Sequence, residues 1–246
     1  MKILINGIAG RMGGEVAKLA LSDKNDVELT AGVDVGGNFD GVHCYKNFDN
    51  IEEDIDCVID FSHHSAVEAL LIFCVKNKKP VVIATTGHTE EELEMIRDAS
   101  KHIPVFFSMN MSVGVALLCE LAKITVKTFP DADIEIVETH HNRKLDSPSG
   151  TAILIANAVK SVRKGLRCVM GRNGKDGRAK DEIGIHSVRV GNIVGEHCVI
   201  VGTDSQTITL KHEAHERSLF AEGAISAAKF IADKENGLYD MNDMIR

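Results

Sequence analysis

Residues 138–151 read Glu-Thr-His-His-Asn-Arg-Lys-Leu-Asp-Ser-Pro-Ser-Gly-Thr, which gathers two histidines, a lysine and a small-residue turn into one stretch. Histidine titrates near neutral pH, and a lysine ammonium carries both positive charge and a transferable proton. Pro148-Ser149-Gly150-Thr151 reads as a turn that opens a helix over 152–159. The N-terminus of a helix presents free N–H groups and a partial positive charge, so it attracts carboxylates and phosphates. These residue types therefore support proton transfer beside an anion pocket, against the alternative of a solvated polar loop with an ordinary N-cap. A metal site built on His140 and His141 is the weaker option. Adjacent residues of a strand point apart, and no carboxylate stands at metal-ligand spacing.

The elements around this stretch must hold it in place. Ile134-Glu135-Ile136-Val137 alternates as a strand does, so both histidines fall just past a strand end. At the N-terminus a short apolar strand over 2–6 runs into Gly7-Ile8-Ala9-Gly10-Arg11-Met12-Gly13, and helical periodicity follows over 15–21. Strand, glycine turn and helix form the phosphate-cradling corner of a dinucleotide fold, although the spacing here is G-x-x-G-x-x-G. A second strand over 27–33 ends at Asp34, where an acidic side chain meets the adenine ribose hydroxyls. No Arg or Lys adjoins Asp34 to receive a 2′-phosphate, so NADH is favoured over NADPH.

Three further strand–helix units follow, with strands over 57–61, 81–84 and 103–107 and helices over 65–76 and 90–100. This alternation implies a parallel sheet covered on both faces, with ligands at the carboxyl ends of its strands. Thr85, Thr86 and Asn110 fall there and are the expected nicotinamide-side contacts, against the alternative that each satisfies its own turn, and Ala84, Ser108, Met109 and Met111 are expected at the cofactor with them. A long apolar helix over 113–129 leads into a second region. The Gly-, Lys-, Arg- and Asp-rich segment 165–184 reads as a mobile loop or arm that builds no core. Strands over 185–190, 198–201 and 206–211 then predict a largely antiparallel sheet with one face to offer a neighbouring subunit. A last amphipathic helix spans 217–232.

Composition excludes other classes. A net charge of −8, no Trp and no long basic run argue against a nucleic-acid binder. No apolar stretch reaches the length of a membrane span, and the N-terminus lacks a cleavage-site pattern. Six scattered cysteines without Cys-x-x-Cys predict reduced thiols in a cytoplasmic protein.

The pattern Glu138-x-His140-His141-x-x-Lys144-x-Asp146-x-Pro148-Ser149-Gly150-Thr151-Ala152 resembles the signature of the 4-hydroxy-tetrahydrodipicolinate reductase family, also called dihydrodipicolinate reductase, of diaminopimelate–lysine biosynthesis. The resemblance spans the chain. Gly7-x-x-Gly10-Arg11-Met12-Gly13 is similar to the family's nucleotide loop and Thr85-Thr86-Gly87 to its second cofactor loop. Asn110-x-Ser112-Val113-Gly114 and the run from Arg189 to His197 are also similar. It implies an α/β protein: a Rossmann-type parallel-sheet domain over 1–111 and 218–246, with an inserted α+β substrate and oligomerisation domain over 112–217. By resemblance His140 is the acid/base residue and Lys144 the proton donor, while His141, Gly150 and Thr151 bind a cyclic dicarboxylate, a role for which the N–H groups of the Ser149 turn are also suited. The nucleotide-loop residues Gly7, Ile8, Ala9, Gly10, Arg11 and Met12 and Asp34 take the dinucleotide, NADH or NADPH. A homotetramer is implied. Whether His140 protonates the departing hydroxyl or aligns substrate and lysine stays open. Met111, Ala84 and His63 stand where the family often has Phe, Gly and Arg. The competing readings are an aspartate-type NAD-dependent dehydrogenase on the same plan and a non-catalytic dinucleotide sensor.

Overall fold

The computed structural model describes residues 1–22, 26–175 and 177–245. Its backbone divides into two compact units, Met1–Ser112 with Arg217–Arg246, and Val113–Glu216. Among the described residues no helix is long and apolar enough to cross a membrane. The six cysteines are free, and Cys57, Cys74 and Cys119 are buried.

The first unit is built on a seven-stranded sheet. Its strands are β1 (Lys2–Asn6), β2 (Glu28–Val33), β3 (Cys44–Tyr45), β4 (Cys57–Asp60), β5 (Val81–Ile83), β6 (Pro104–Phe107) and, from the end of the chain, β12 (Gly237–Tyr239). The spatial order is β12-β6-β5-β4-β1-β2-β3, and every neighbouring pair is parallel. The central strands are apolar along their length because helices cover both faces. Leu4, Val58, Val81 and Val105 form one cluster with Leu70 of α2 (Val67–Asn77) and Ile96 of α3 (Glu90–Ala99). The order reverses between β1 and β4, and such a switch point leaves a crevice at the strand ends.

α1 (Arg11–Ala20) begins four residues earlier than its periodicity indicates, directly from the glycine turn. Gly7 sits at φ +79, and a Cβ there would lie 2.6 Å from the Phe61 carbonyl oxygen. A Cβ on Gly13 would lie 2.1 Å from the Gly7 carbonyl oxygen. Both glycines thus serve close backbone approach as well as turning.

The second unit sets α4 (Val113–Thr128) and α5 (Gly150–Val162) against a five-stranded sheet. Its strands are β7 (Asp133–His140), β8 (Arg167–Met170), β9 (Glu182–Arg189), β10 (Gly195–Gly202) and β11 (Thr207–Ala214), in the order β11-β10-β7-β9-β8. The sheet is mixed rather than largely antiparallel. β10 runs antiparallel to β7 and β11, whereas β9 runs parallel to β7 and β8. The chain leaves β7, crosses through α5 and returns in the same direction, and the sequence pattern of the individual strands does not encode that crossover.

The expectation of a loop or arm over 165–184 is overturned in part. Its first residues form β8 and its last open β9, with Asp176 outside the described residues. The charges that read as solvated pair with one another instead. Buried Glu182 takes Arg167 and Arg172, and the Arg178 guanidinium donates to Asp133 at 2.7 Å, to Glu135 at 3.1 Å and to the Glu182 carbonyl at 2.7 Å.

Gly7→Ala should cost on the order of 1–3 kcal/mol of stability, because a left-handed φ and a blocked Cβ position are imposed together. Urea denaturation of wild type and variant checks this, with a lower midpoint at unchanged slope as the expected result.

Candidate active site

β7 alternates faces with period two, which places Ile134, Ile136, Glu138 and His140 on the buried side of the second sheet. The first two belong to the apolar core, and the last two turn the end of that face polar. Register brings partners to the same face. His197 of β10 stands opposite Glu138, and Arg189 of β9 stands opposite His140. α5 then delivers its N-cap, Ser149, against the same end.

Glu138 is fully buried and is the centre of the cluster. Its two carboxylate oxygens each accept from Arg189 at 2.8 Å. One also faces His140 Nδ1 at 2.5 Å, and the other accepts from the Ser149 backbone N–H at 3.2 Å. Burial alone would raise the Glu138 carboxyl, but hydrogen bonds led by Arg189 outweigh it and hold it at about 2. Burial pushes the His140 imidazole down, and Glu138 offsets part of that shift. His197 is buried as well, and burial with His140 close by takes it to about 4, so it is neutral at pH 7. As a neutral ring its Nε2 lies 2.9 Å from the Ser149 hydroxyl. The His140 ring passes over Gly195, where a Cβ would sit 3.0 Å from Nε2.

Of the residues expected to bind substrate, Ser149 is already committed. It is 2% exposed, its hydroxyl accepts from Ala152 N–H at 3.1 Å, and its own N–H goes to Glu138. These contacts brace the turn. Gly150 faces open space, since a Cβ there would meet nothing within 4 Å. Thr151 follows in the first turn of α5. His141 is tied through its N–H to the Ile193 carbonyl at 2.8 Å, while its buried Nδ1 has no partner. Lys144 pairs with Asp146 at 2.9 Å, and that contact lowers the exposed Asp146 carboxyl.

The first unit carries a separate cleft of about 560 Å³ at the switch point, lined by Gly7, Gly10, Asp34 and further residues described next. Asp34 is oriented by N–H groups of Ala9 (3.1 Å), Gly36 (2.9 Å) and Gly37 (3.1 Å). Val35, Phe48, Ala66 and Ala69 supply apolar walls suited to a flat aromatic base, and Lys46 and His63 add polar groups. Together with the glycine turn, whose bare backbone has no room for a Cβ, these residues fit a dinucleotide.

Not every expected cofactor residue lines this cleft. Ile8 is buried against Gly32, so only its backbone is available. Arg11 and Met12 open α1. Thr85 turns its hydroxyl inward to Asp60 at 2.7 Å, Ala84 is buried, and Thr86 is exposed beyond them. The Ser108 hydroxyl donates to the Asn110 carbonyl at 2.8 Å, Met109 is exposed, and Met111 is buried with its carbonyl against Gly223. Sequence reasoning missed Lys46, whose Nζ stands 3.5 Å from the Val35 carbonyl. No basic residue adjoins Asp34 in the chain, but β3 returns one to the same cleft.

Two family models match. "Dihydrodipicolinate reductase, N-terminus" covers residues 1–111 and "Dihydrodipicolinate reductase, C-terminus" covers 114–245. A 4-hydroxy-tetrahydrodipicolinate reductase of Caldanaerobacter subterraneus subsp. tengcongensis is 46% identical, over 100% of this chain and 98% of that protein. The dipicolinate-bound dihydrodipicolinate reductase of Paenisporosarcina sp. TG-14 superposes with a TM-score of 0.83 at 26% identity, covering 99% and 98% of the two chains. Aspartate dehydrogenase of Thermotoga maritima, at 15% identity and TM-score 0.53 over 96% of this chain and 98% of that one, shares the fold alone.

The cluster predicts a two-stage loss of stability in acid. The folded pKa of His197, about 4, lies below its ordinary 6.5, so its contribution is complete above pH 6.5 and is lost as pH falls towards 4. The Glu138 contribution is complete above its ordinary 4.5 and is lost as pH falls towards 2. Urea midpoints should therefore drop between pH 7 and pH 4.5 in the wild type, and His197→Gln should flatten that drop.

Proposed function

The chain belongs to the dihydrodipicolinate reductase family, and we propose that it reduces 4-hydroxy-tetrahydrodipicolinate to tetrahydrodipicolinate with loss of water. The observation that carries the reading is the juxtaposition of His140, its buried carboxylate partner and the opening turn of α5, within the part of the chain that matches the family's C-terminal model. A small dicarboxylate suits that turn. Gly150 leaves backbone open to approach, the helix dipole favours negative charge, and the relative bound to dipicolinate carries such a ligand.

A bound reduced nicotinamide supplies the hydride. The chain's own residues hold the substrate and manage protons. Lys144, as ammonium, stabilises the negative charge that develops on the reduced ring and donates the proton that quenches it. Its partner Asp146 is exposed, so a substrate carboxylate can displace it from Nζ without uncovering a buried charge. His140 keeps Nδ1 towards Glu138, which leaves Nε2 either to protonate the departing hydroxyl from the imidazolium form or, as a bare acceptor in the neutral ring, to align substrate with Lys144.

In the cleft of the first unit Gly7 and Gly10 would hold the phosphates of the dinucleotide and Asp34 its adenine ribose. Both NADH and NADPH are accepted in this reading. Asp34 serves a free 2′-hydroxyl, and Lys46 serves a 2′-phosphate. Self-association as a homotetramer in the cytoplasm completes the reading. It is supported by Val137, Val188 and Ile200 on the sheet face opposite the helices.

The deciding experiment follows oxidation of the reduced nicotinamide by its absorbance, with substrate generated from pyruvate and aspartate semialdehyde by the preceding enzyme. Turnover is expected in the wild type. His140→Ala and Lys144→Ala should each lower kcat by about 10²–10⁴-fold while leaving dinucleotide affinity near normal. Binding of NADH without turnover would favour the sensor reading, and oxidation of an amino acid would favour the aspartate-type dehydrogenase. In the same assay Lys46→Ala should raise KM for NADPH and leave that for NADH unchanged, whereas Asp34→Ala should do the reverse.

A further inference from the structure

The reaction needs His140 with one defined nitrogen towards the substrate, and strand backbone geometry alone does not provide that. A histidine at a strand end has two ring nitrogens of nearly equal basicity, and the partner of one determines which atom the other presents. Glu138 lies two residues earlier on the same face, and its Oε2 is 2.5 Å from His140 Nδ1. An ionised carboxylate accepts only, so Nδ1 must carry the hydrogen. Arg189 keeps the carboxylate ionised and stationary through two parallel bonds of 2.8 Å, and it is itself pinned to the Asp146 carbonyl at 2.7 Å. Gly195 clears the space under the ring.

We propose that Glu138 is the positioning residue of this site, its Arg189-clamped carboxylate presenting His140 Nε2 to the substrate and seating the anion-binding turn through Ser149. The proposal rests on the reductase reading and extends it, because one buried carboxylate serves both the acid/base residue and the dicarboxylate subsite. The Oε1 arm does the second task, accepting from Ser149 N–H at 3.2 Å. The Ser149 hydroxyl, braced between Ala152 N–H and neutral His197, then holds the start of α5 in register with the sheet. A shift of Glu138 would therefore move the proton-transfer group and the carboxylate pocket together.

Two measurements test this on the full chain. Long-range ¹H–¹⁵N correlation spectra of histidine-labelled wild type, with His140 assigned by comparison with His140→Asn, should show Nδ1 protonated and Nε2 bare above the ring's titration. An Nε2–H tautomer, or an even mixture, would overturn the proposal. In steady-state kinetics Glu138→Gln should lower kcat by about 10²–10⁴-fold with KM for NADH within about twofold of wild type. Its pH profile should also move. The groups facing His140 are Glu138 on β7, Arg189 on β9, His197 on β10 and Lys144 in the following loop, and only Glu138 stabilises the imidazolium. Its loss shifts the limb that reports His140 to lower pH, the alkaline limb if the imidazolium acts as acid and the acid limb if the neutral ring aligns the substrate, an effect that mere loosening of the fold does not produce. Wild-type kcat with an unchanged profile in Glu138→Gln would sink the idea. Should that variant fail to fold, the wild-type tautomer still decides. Absence of turnover in the wild type would count against the reductase reading alone, leaving the tautomer to judge Glu138.

Discussion

The second unit depends on one buried ion pair, Glu138 with Arg189. A carboxylate taken wholly out of water costs several kcal/mol, and a partner restores that only if the geometry is good and the remaining lone pairs are filled. Both conditions hold here. The guanidinium engages both oxygens, and His140 and Ser149 occupy the sites left over. Replacing such a pair with apolar side chains often leaves stability unchanged or improved, so its presence calls for a reason other than stability. The three residues that meet on Glu138 come from β7, β9 and the turn before α5, and directional hydrogen bonds fix their mutual orientation in a way apolar contacts do not.

What the chain reveals before folding follows the range of the interactions involved. The Rossmann-type sheet was legible because glycine turns, apolar strands and helix periodicity are local signals, and the parallel sheet of the first unit carries them out. The mixed character of the second sheet was not, because strand direction depends on where a crossover returns. The segment over 165–184 was misread for a related reason. Its Arg178 neutralises partners as distant in sequence as Asp133 and Glu135, and composition alone assigns such a charge to solvent.

The site divides in the same way. Residue type and a turn signal marked the stretch from His140 to Thr151 as a place for proton chemistry beside an anion pocket, while the roles of His140, Lys144, Gly150 and Thr151 came from the family resemblance. Arg189 lies in a separate strand and reaches Glu138 only through β7–β9 register. Ser149 was assigned to the substrate because its turn offers N–H groups at a helix N-terminus; its own N–H goes to Glu138 and its hydroxyl accepts from Ala152. Lys46 escaped notice because the strand that returns it, β3, is two residues long and leaves no periodic trace.

A second buried acid shows why the Glu138 arrangement matters for chemistry. Asp60, at the end of β4, accepts from Asn6 at 2.8 Å, from the Ser62 hydroxyl at 2.6 Å and from the Thr85 hydroxyl at 2.7 Å. All three donors are neutral, so burial dominates and raises the Asp60 carboxyl. Glu138 is no less buried, yet Arg189 carries it in the opposite direction. The difference suits the two places. Asp60 ties the ends of β1 and β4 to the loop after β5 through Asn6, Ser62 and Thr85, and neutral donors suffice for that. Glu138 must remain an anion at every working pH, because a protonated carboxyl could donate to His140 Nδ1 and turn the ring's hydrogen outward. Two carboxylates at equal depth are thus shifted in opposite directions by whether a cation stands beside them, and at Glu138 that choice decides which nitrogen His140 presents.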